Sequence, residues 1–370
     1  MVFTLAALDV VFSLSVLAPL VIMFWKSTWG IFQRYSFIFQ PWLQLTVSLI
    51  VLIVIAAIKD AFLKLPHKSW KFMIVCRMYI YFRGIINIGI WRCEWDIMDK
   101  YFKTDATVIC LIAGLIFFVV MNGMMNLNSA PLYIAVDHNP EDVYSFPTMF
   151  KIGTENLWMY ILDCTYSICV VGTLVVFVWR GAWCLLDMFL YPSQPEMSAW
   201  ASLGIGYSLV LVSFGLQPAM KYLAKVLTGV WRLIAVDVYL LFSFCGMINV
   251  WRGIWNLLNV YFLPDMPHLS NILTHAFSFL LLVLINSSNS ILVRGVYVDA
   301  QEDGEQCVDF PCYYIRLFFQ SRQKKKFLSE SEKNLKERRK SEAAETLIQM
   351  GAEKTVIVVP NHTDAITNAV

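Results

Sequence analysis

Tryptophan and a basic residue recur together at four places in the chain, and this pairing has the clearest chemistry in the sequence. The motif Trp-[Lys/Arg]-x-x-Trp occurs at residues 25–29, 91–95, 179–183 and 251–255. Tryptophans four residues apart share one face of a helix. A basic side chain beside them could stack on an indole ring, pair with a carboxylate or reach a lipid phosphate. The four copies indicate internal duplication.

Two arrangements of this motif stay open from the sequence. In the first, the tryptophans form a belt at the level of the lipid headgroups and the basic residues reach the phosphates. In the second, the four faces converge, and the arginines stack on tryptophan or pair with Asp99 and Asp187 in a ring at the outer mouth. Such a ring would suit an anion or the membrane segment of a partner. The candidate residues of this outer aromatic and basic ring are Trp29, Arg92, Trp95, Arg180, Trp183, Arg252 and Trp255.

Charged and amide side chains within the apolar stretches form a second candidate site. A charge at the bilayer centre costs several kcal/mol, so it is a functional hypothesis by default. Arg83 is the deepest, and we expect it to face the bundle interior with Asp163 or Asp237 as its partner. Arg77 and Asp237 lie fourteen residues before Trp91 and Trp251, so they are a candidate ion pair. The candidate intramembrane polar core is Arg77, Arg83, Asp163, Asp237, Asn122, Asn126, Asn286, Asn289 and His275.

The asparagines of this set have two interpretations. They could hold neighbouring helices together through interhelical hydrogen bonds. They could also line a polar route through the protein, together with His275.

Long apolar stretches surround these residues and must position them. Each has about the 20 residues that a helix needs to cross a hydrocarbon core of about 30 Å. Composition agrees, because 58% of the residues are hydrophobic and 15% are charged. The sequence therefore predicts an all-α polytopic membrane protein with eight transmembrane helices. They are expected near residues 2–25, 42–58, 73–91, 107–130, 156–178, 197–216, 233–250 and 269–293.

A second level of duplication predicts two pseudo-repeated four-helix halves. The run Leu8-Asp9-x-x-Phe12-Ser13 in the first stretch matches Leu162-Asp163-x-x-Tyr166-Ser167 in the fifth. We therefore expect a first transmembrane half at 1–150, a second at 151–312 and a basic tail at 313–370 that is partly helical or disordered. Because four spans separate equivalent points, the halves should enter the membrane in the same orientation.

The tail is a candidate lipid-binding segment. Twelve Lys and Arg residues lie from Arg294 onward, which places both termini in the cytosol by positive-inside reasoning. Basic residues near the surface attract anionic lipid by about 1 kcal/mol each. Cys307 and Cys312 are candidates for palmitoylation. The basic clusters are Lys324, Lys325, Lys326, Arg338, Arg339 and Lys340.

Signatures of catalysis are not found in the sequence. The five histidines include no pair at i and i+4 that could hold a metal, and neither a nucleophile elbow nor a phosphate-binding Gly-rich loop occurs. We expect no enzyme activity, no cofactor, no metal and no nucleic-acid partner. The lipid bilayer is the expected partner, with a further membrane protein as a candidate.

Three runs of residues resemble the Fuseless family of invertebrate multipass proteins over roughly residues 1–320. They are the run from Arg83 to Phe102, the run from Ile248 to Phe262, and Asn289-Ser290 followed by Arg294-Gly295. The resemblance implies a presynaptic plasma-membrane protein that organises active zones and voltage-gated calcium channels, with an older suggestion of transporter likeness. It supplies no agreed catalytic or binding residues.

Two functional hypotheses follow. The first is a non-enzymatic organiser that holds a calcium channel or another membrane partner. The second is a transporter of a small polar or anionic solute, for which the duplicated bundle is typical.

Overall fold

A computed structural model of the chain describes most of its first 317 residues. The described ranges are 2–63, 70–102, 104–137, 143–144, 146–293, 296, 308–317, 319–320, 330–331 and 335–336. The chain divides into a unit of Met1–Tyr314 and a unit of Ile315–Val370. The described part of the second unit is four short helical pieces. Cys307 and the basic clusters at 324–326 and 338–340 lie outside the described residues.

The described residues are helical, without a strand among them, so the predicted all-α class is confirmed. Eight apolar helices dominate the first unit, and we number them α1 to α8. They are α1 (Val2–Phe12, Ser13–Leu17 and Ala18–Arg34), α2 (Pro41–Ala57), α3 (Trp70–Tyr101), α4 (Thr104–Val120), α5 (Leu157–Phe189), α6 (Pro195–Val226), α7 (Gly229–Tyr261) and α8 (Pro267–Leu284). A π-helical turn interrupts α1 at Ser13–Leu17 and α5 at Ser167–Gly172, at equivalent points of the two helices.

Six of these helices are long and apolar enough to cross a membrane, namely α1, α3, α5, α6, α7 and α8. Helices α2 and α4 hold 17 residues each and are shorter. The apolar helices thus fit an integral membrane protein. Eight spans were predicted, and six helices meet the criterion of length and apolar composition.

Two predicted spans are too long at their carboxyl ends. The stretches expected at 107–130 and 269–293 stop being α-helical at Val120 and Leu284. Asn122 and Asn286 follow two residues later with φ angles of 49° and 58°. This left-handed conformation ends a helix, and asparagine tolerates it better than most residues. Short 3₁₀ turns then replace the helices, at Met124–Leu127 and Ser288–Ile291.

The helices pack as four pairs around a central square, and three of the pairs are hairpins of consecutive helices. Helix α2 packs on α3, α4 on α5, α6 on α7, and α8 on α1. We call α1, α3, α5 and α7 the inner helices, since α1 and α5 each contact both α3 and α7. The even-numbered helices are the outer helices. Each outer helix therefore packs on the inner helix that follows it, and α8 closes the circle on α1.

The hairpin of α6 and α7 requires glycine at its contact. A Cβ atom at Gly206 would lie 2.5 Å from the backbone nitrogen of Val250, and one at Gly253 would lie 2.7 Å from that of Leu203. Real Cβ atoms do not approach backbone so closely. Small residues that admit such close backbone contact are typical of helix packing in membranes.

Candidate functional site

The eight tryptophans of the repeated motif meet along the axis of the inner helices. The first residues of the four motifs form a closed ring, in which neighbouring ring centroids lie 5.2–5.6 Å apart. The second residues form another closed ring, with centroids 5.7–6.0 Å apart. Every contact is edge-to-face, a geometry that contributes about 0.5–1.5 kcal/mol beyond area burial. We call these rings the first tetrad (Trp25, Trp91, Trp179 and Trp251) and the second tetrad (Trp29, Trp95, Trp183 and Trp255).

The first tetrad is locked in place by its indole N–H groups. Trp25 donates to the carbonyl of Ile291 at 2.9 Å, Trp179 to Leu127 at 3.1 Å and Trp251 to Ala130 at 2.7 Å. These acceptors lie in and beside the 3₁₀ turns that follow α4 and α8. The loops therefore cap the tetrad, and three of its four donors are used for structure.

The basic residue of each motif points away from the tetrads, toward an outer helix. Lys26 donates to Asn271 of α8 at 3.0 Å, and Arg92 to Gln44 of α2 at 2.9 Å. Each basic residue thus fastens its inner helix to the outer helix with which that inner helix is paired. The arginines of the last two copies do the same, with Arg180 on Thr107 of α4 and Arg252 on Ser198 and Ser202 of α6.

The structure shows the convergence of the tryptophan faces from the second arrangement, while the basic residues turn outward instead of forming a ring with them. Arg180 pairs with Asp99 and Arg252 with Asp187, each at 2.8 Å from Nε to the carboxylate, while Arg92 pairs with Asp96. No arginine stacks on a tryptophan among the described contacts. The exposed tryptophans that suit an interfacial belt are Trp42, Trp158, Trp200 and Trp231, at the amino-terminal ends of four helices.

The motifs also lie within their helices rather than at the ends. Helix α3 continues to Tyr101 and α7 to Tyr261, which is ten residues past Trp91 and Trp251. Helices of 32 and 33 residues are about 48–50 Å long. The additional length of α3 carries Asp96 and Asp99, which pair with Arg92 and Arg180.

A space of about 310 Å³ adjoins both tetrads, and we call it the vestibule. Beside the eight tryptophans, its lining includes Asp99, Asp187 and Cys184. Both aspartates are already paired with arginines, and both are about half exposed. The charges near the vestibule are therefore mutually compensated.

A cavity of about 130 Å³ adjoins the first tetrad, and we call it the central cavity. All four indoles of that tetrad contribute to its lining, together with the 3₁₀ turns and the π-helical turn of α5. Glu94, Asn87 and Asn128 line it as well. Glu94 is 6% exposed and Asn87 is 3% exposed, so both are buried.

Each of these three side chains has a buried polar atom with no hydrogen-bond partner among the described residues. They are Oε2 of Glu94, Nδ2 of Asn87, and both Oδ1 and Nδ2 of Asn128. The other carboxylate oxygen of Glu94 accepts from Thr173 at 2.7 Å. Buried polar groups are nearly always paired, so an unpaired group calls for an explanation.

The candidate polar core does not come together as one cluster. Arg77 pairs with Asp137 and donates to Asn286 and to Ser288, the latter at 2.8 Å. The expected pairing with Asp237 is absent, because Asp237 lies on α7 and makes no contact with Arg77 among the described interactions. Asp137 also accepts from the backbone N–H groups of Ser288 and Asn289 at 2.8 and 2.7 Å. Arg77 and Asp137 therefore bind the loop after α4 to the loop after α8.

Arg83 faces the bundle interior as expected, and it is 2% exposed. Its guanidinium donates to the carbonyls of Val143 and Val293 at 3.3 and 3.4 Å and lies 5.2 Å from the ring of Phe146. The suggested partner Asp163 lies elsewhere. Its carboxylate accepts from the backbone N–H groups of Phe150 and Ile152 at 3.1 and 3.2 Å.

The remaining predicted residues have structural partners. His275 lies between Thr28 and Tyr81, with 2.9 Å to each. Asn126 donates to the carbonyl of Gly123 at 2.8 Å, and Asn122 and Asn286 end their helices. Cys312 is buried with its thiol directed at the carbonyl of Asp9, a position that does not suit an acylated cysteine.

Sequence reasoning missed Glu94 and did not select Asn87 or Asn128, although the repeats contain a signal. Glu94 follows Trp91 by three residues, and the equivalent residues of the other copies are Thr28, Ala182 and Ile254. Asn87 precedes Trp91 by four residues, where the other copies have Val21, Val175 and Met247. The second copy alone has a carboxylate and an amide at these positions.

The fold and the tetrads define a class of all-α protein with apolar, membrane-type helices around an aromatic core. A family model supplies the particular identity. The model of the Fuseless family matches residues 4–292, so the chain belongs to the Fuseless family. This family is not known as an enzyme family. No curated protein and no solved structure matches the chain.

Proposed function

We propose that this chain crosses the membrane eight times, in two four-helix halves, and acts as a non-enzymatic organiser of presynaptic active zones and voltage-gated calcium channels. The observation that carries the proposal is the pair of tryptophan tetrads on the axis of the bundle. Eight edge-to-face contacts and three indole hydrogen bonds make the centre rigid. A rigid centre suits a protein that holds others in position.

The eight-pass topology has support from helices α2 and α4. Each would be about 26 Å long, close to a hydrocarbon core of about 30 Å. Both present large apolar residues outward, including Val47 on α2 and Ile112 on α4, each 52% exposed. Such faces suit lipid or another membrane helix. Both termini would then be cytosolic, with the basic tail near anionic lipid.

The exposed faces of the outer helices are the surface available to a partner. The basic residues of the motif are unavailable, because each is used within the bundle. The partner in this proposal is therefore bound by apolar contact from the side rather than by an outer ring of charge.

Photo-crosslinking tests this proposal. A photoreactive residue is placed at an outward position of each outer helix, and the protein is expressed with a voltage-gated calcium channel. Matched controls carry the same residue at a buried position of the same helices, namely Leu52, Phe118, Val210 and Leu282. The outward positions are Val47, Ile112, Leu211 and Ile272.

We expect crosslinks to the channel from at least one outward position and none from its buried control. Crosslinks from neither set, at normal surface expression, would overturn the organiser proposal. Function is measured in neurons. Channel clusters at presynaptic sites should be lost when this protein is absent and restored when the wild type is expressed.

A second candidate function is transport of a small polar solute, and the central cavity is the observation that favours it. The first tetrad borders that cavity, and the second tetrad lies beside it on the axis, so transport would require both rings to open. Uptake into proteoliposomes tests it, because a transporter gives saturable uptake and an organiser gives none. Arg83 lies beside the cavity without lining it, so Glu94→Gln is a better inactivating variant than Arg83→Leu.

A further inference from the structure

We propose that the central cavity is a binding site for a small organic cation that carries an oxygen acceptor, such as a quaternary or protonated amine with a hydroxyl group. This goes beyond an organising role, because it assigns a soluble ligand to the interior of the bundle. Glu94 would pair with the positive charge, and the amides of Asn87 and Asn128 would bind the oxygen.

The charge of the lining favours a cation. Among the described residues that line the cavity, Glu94 is the one carboxylate, and lysine, arginine and histidine are absent. Arg83 donates to the carbonyl of the lining residue Val293 at 3.4 Å but is not itself part of the lining. A buried carboxylate without a paired cation carries a desolvation cost, and a positive ligand would offset part of it.

The tetrad also favours a cation over an anion. Three of its indole N–H groups donate to backbone carbonyls, so these donors are not available to an anion. Aromatic walls are the usual surroundings of bound quaternary ammonium groups. Four indoles border this cavity.

The unpartnered amides indicate the rest of the ligand. Nδ2 of Asn87 and of Asn128 are donors without acceptors among the described residues. A hydroxyl or carbonyl oxygen on the ligand would accept from them. Leaving such donors unpaired costs about 1–3 kcal/mol each, so the ligand oxygen would add both affinity and specificity.

Cavity size limits the ligand. An engineered cavity of about 150 Å³ takes up a molecule the size of benzene. The central cavity, at about 130 Å³, therefore suits a solute of about five to seven non-hydrogen atoms. A nucleotide, a sugar or a lipid headgroup with its chains is too large.

The repeats show that these polar residues are not required by the fold. The three other copies build the same tetrads with threonine, alanine or isoleucine at the position of Glu94, and with valine or methionine at that of Asn87. The π-helical turn Ser167–Gly172 contributes to the same lining through Ser167, Ile168, Val171 and Gly172. Such turns are frequent at functional sites.

Ligand binding by the purified full-length protein tests the proposal. Choline, tetramethylammonium and acetate are titrated separately, with intrinsic tryptophan fluorescence and melting temperature as readouts. We expect saturable binding of choline, weaker binding of tetramethylammonium and none of acetate. Glu94→Gln should weaken choline binding about tenfold or more, since it removes a charge-assisted contact.

Two further variants separate binding from folding. Asn87→Val copies the residue of the first and third repeats and should reduce choline binding toward that of tetramethylammonium. Asp237→Asn removes a carboxylate from α7 outside the cavity lining and should leave binding unchanged. Binding of acetate, absence of binding by both cations, or equal choline binding by wild type, Glu94→Gln and Asn87→Val would overturn the proposal. None of these outcomes depends on whether a calcium channel is bound.

Discussion

The two tryptophan tetrads have the same geometry but different surroundings. The second tetrad faces the vestibule, where Asp99 and Asp187 are already paired with Arg180 and Arg252. The first tetrad borders the central cavity, where Glu94 and two asparagines have polar atoms without partners in the described part of the chain. One set of charges is thus satisfied within the fold, and the other is not. Similar aromatic packing therefore accompanies satisfied charges on one side and, on the other, the cavity that we propose as a binding site.

The largest expected loss of stability comes from the first tetrad, and it should exceed the loss from the second. Trp251 is 4% exposed and its N–H is bonded, whereas Trp255 of the second tetrad is half-buried. Trp251→Ala should lower the free energy of unfolding by about 4 kcal/mol. Trp255→Ala should lower it by about 2 kcal/mol. Melting temperatures of both variants in one detergent measure the difference, and equal losses would show that the tetrads contribute alike.

A second prediction concerns the outer helix that supports α7. A Cβ at Gly206 would meet the backbone of Val250, so Gly206→Ala should cost about 2 kcal/mol through the forced separation of α6 and α7. Gly204 lies two residues away with nothing within 4 Å of its Cβ position. Gly204→Ala should therefore be neutral or stabilising by up to about 1 kcal/mol. Thermal melts compare the pair, and equal destabilisation would contradict the close approach.

The paired charges near the vestibule should contribute to the free energy of unfolding. Arg252 is buried and bonds Asp187, Ser198 and Ser202 at 2.6–2.8 Å. Arg252→Met should cost about 2 kcal/mol, because buried hydroxyls lose their partner while the half-exposed Asp187 is rehydrated. The control is Lys221→Met, which breaks a pair with Asp309 that is partly exposed and worth at most about 1 kcal/mol. A smaller loss in the Arg252 variant than in the control would refute this assignment.

Replacement of the unpaired carboxylate of Glu94 should change the free energy of unfolding least, and it should raise that free energy rather than lower it. Glu94→Ile places the residue of the fourth repeat at this position. Without ligand, we expect a gain of about 1 kcal/mol, because an apolar side chain of similar size replaces a buried carboxylate. The melting temperature of ligand-free protein measures it. A loss of more than about 1 kcal/mol would mean that Glu94 is a structural residue like Arg252.

Repeat spacing predicted part of the fold and marked the residues of both tetrads. The recurrence of Trp-[Lys/Arg]-x-x-Trp left an interfacial belt and a convergent ring open, and it did not assign Asp99 to Arg180 or Asp187 to Arg252. Span lengths were less predictable, since hydropathy continues past Asn122 and Asn286 although their backbone conformation ends the helices. Apolar loops packed inside the bundle look like helix by composition alone.

Pairings across the bundle could not be predicted from the sequence. Arg77 and Asp237 are equivalent by repeat position, but Arg77 binds Asp137 in a loop that has no periodic pattern to place it. Glu94 could have been selected from the sequence, because the other three copies of the motif have no carboxylate at its position. Its isolation in a cavity depends on packing, which one sequence does not reveal. The two-half division and the cytosolic termini stay predictions.

The pairing of α8 with α1 makes the order of synthesis part of the folding problem. Lys26 is made early, and Asn271, to which it is bonded, follows 245 residues later. At about 5–20 residues per second, the first helix waits about 10–50 s for its neighbour. The circle of helix pairs can close only when the last helix is inserted. A truncation that removes α8 alone therefore leaves the oldest helix in the chain without its partner.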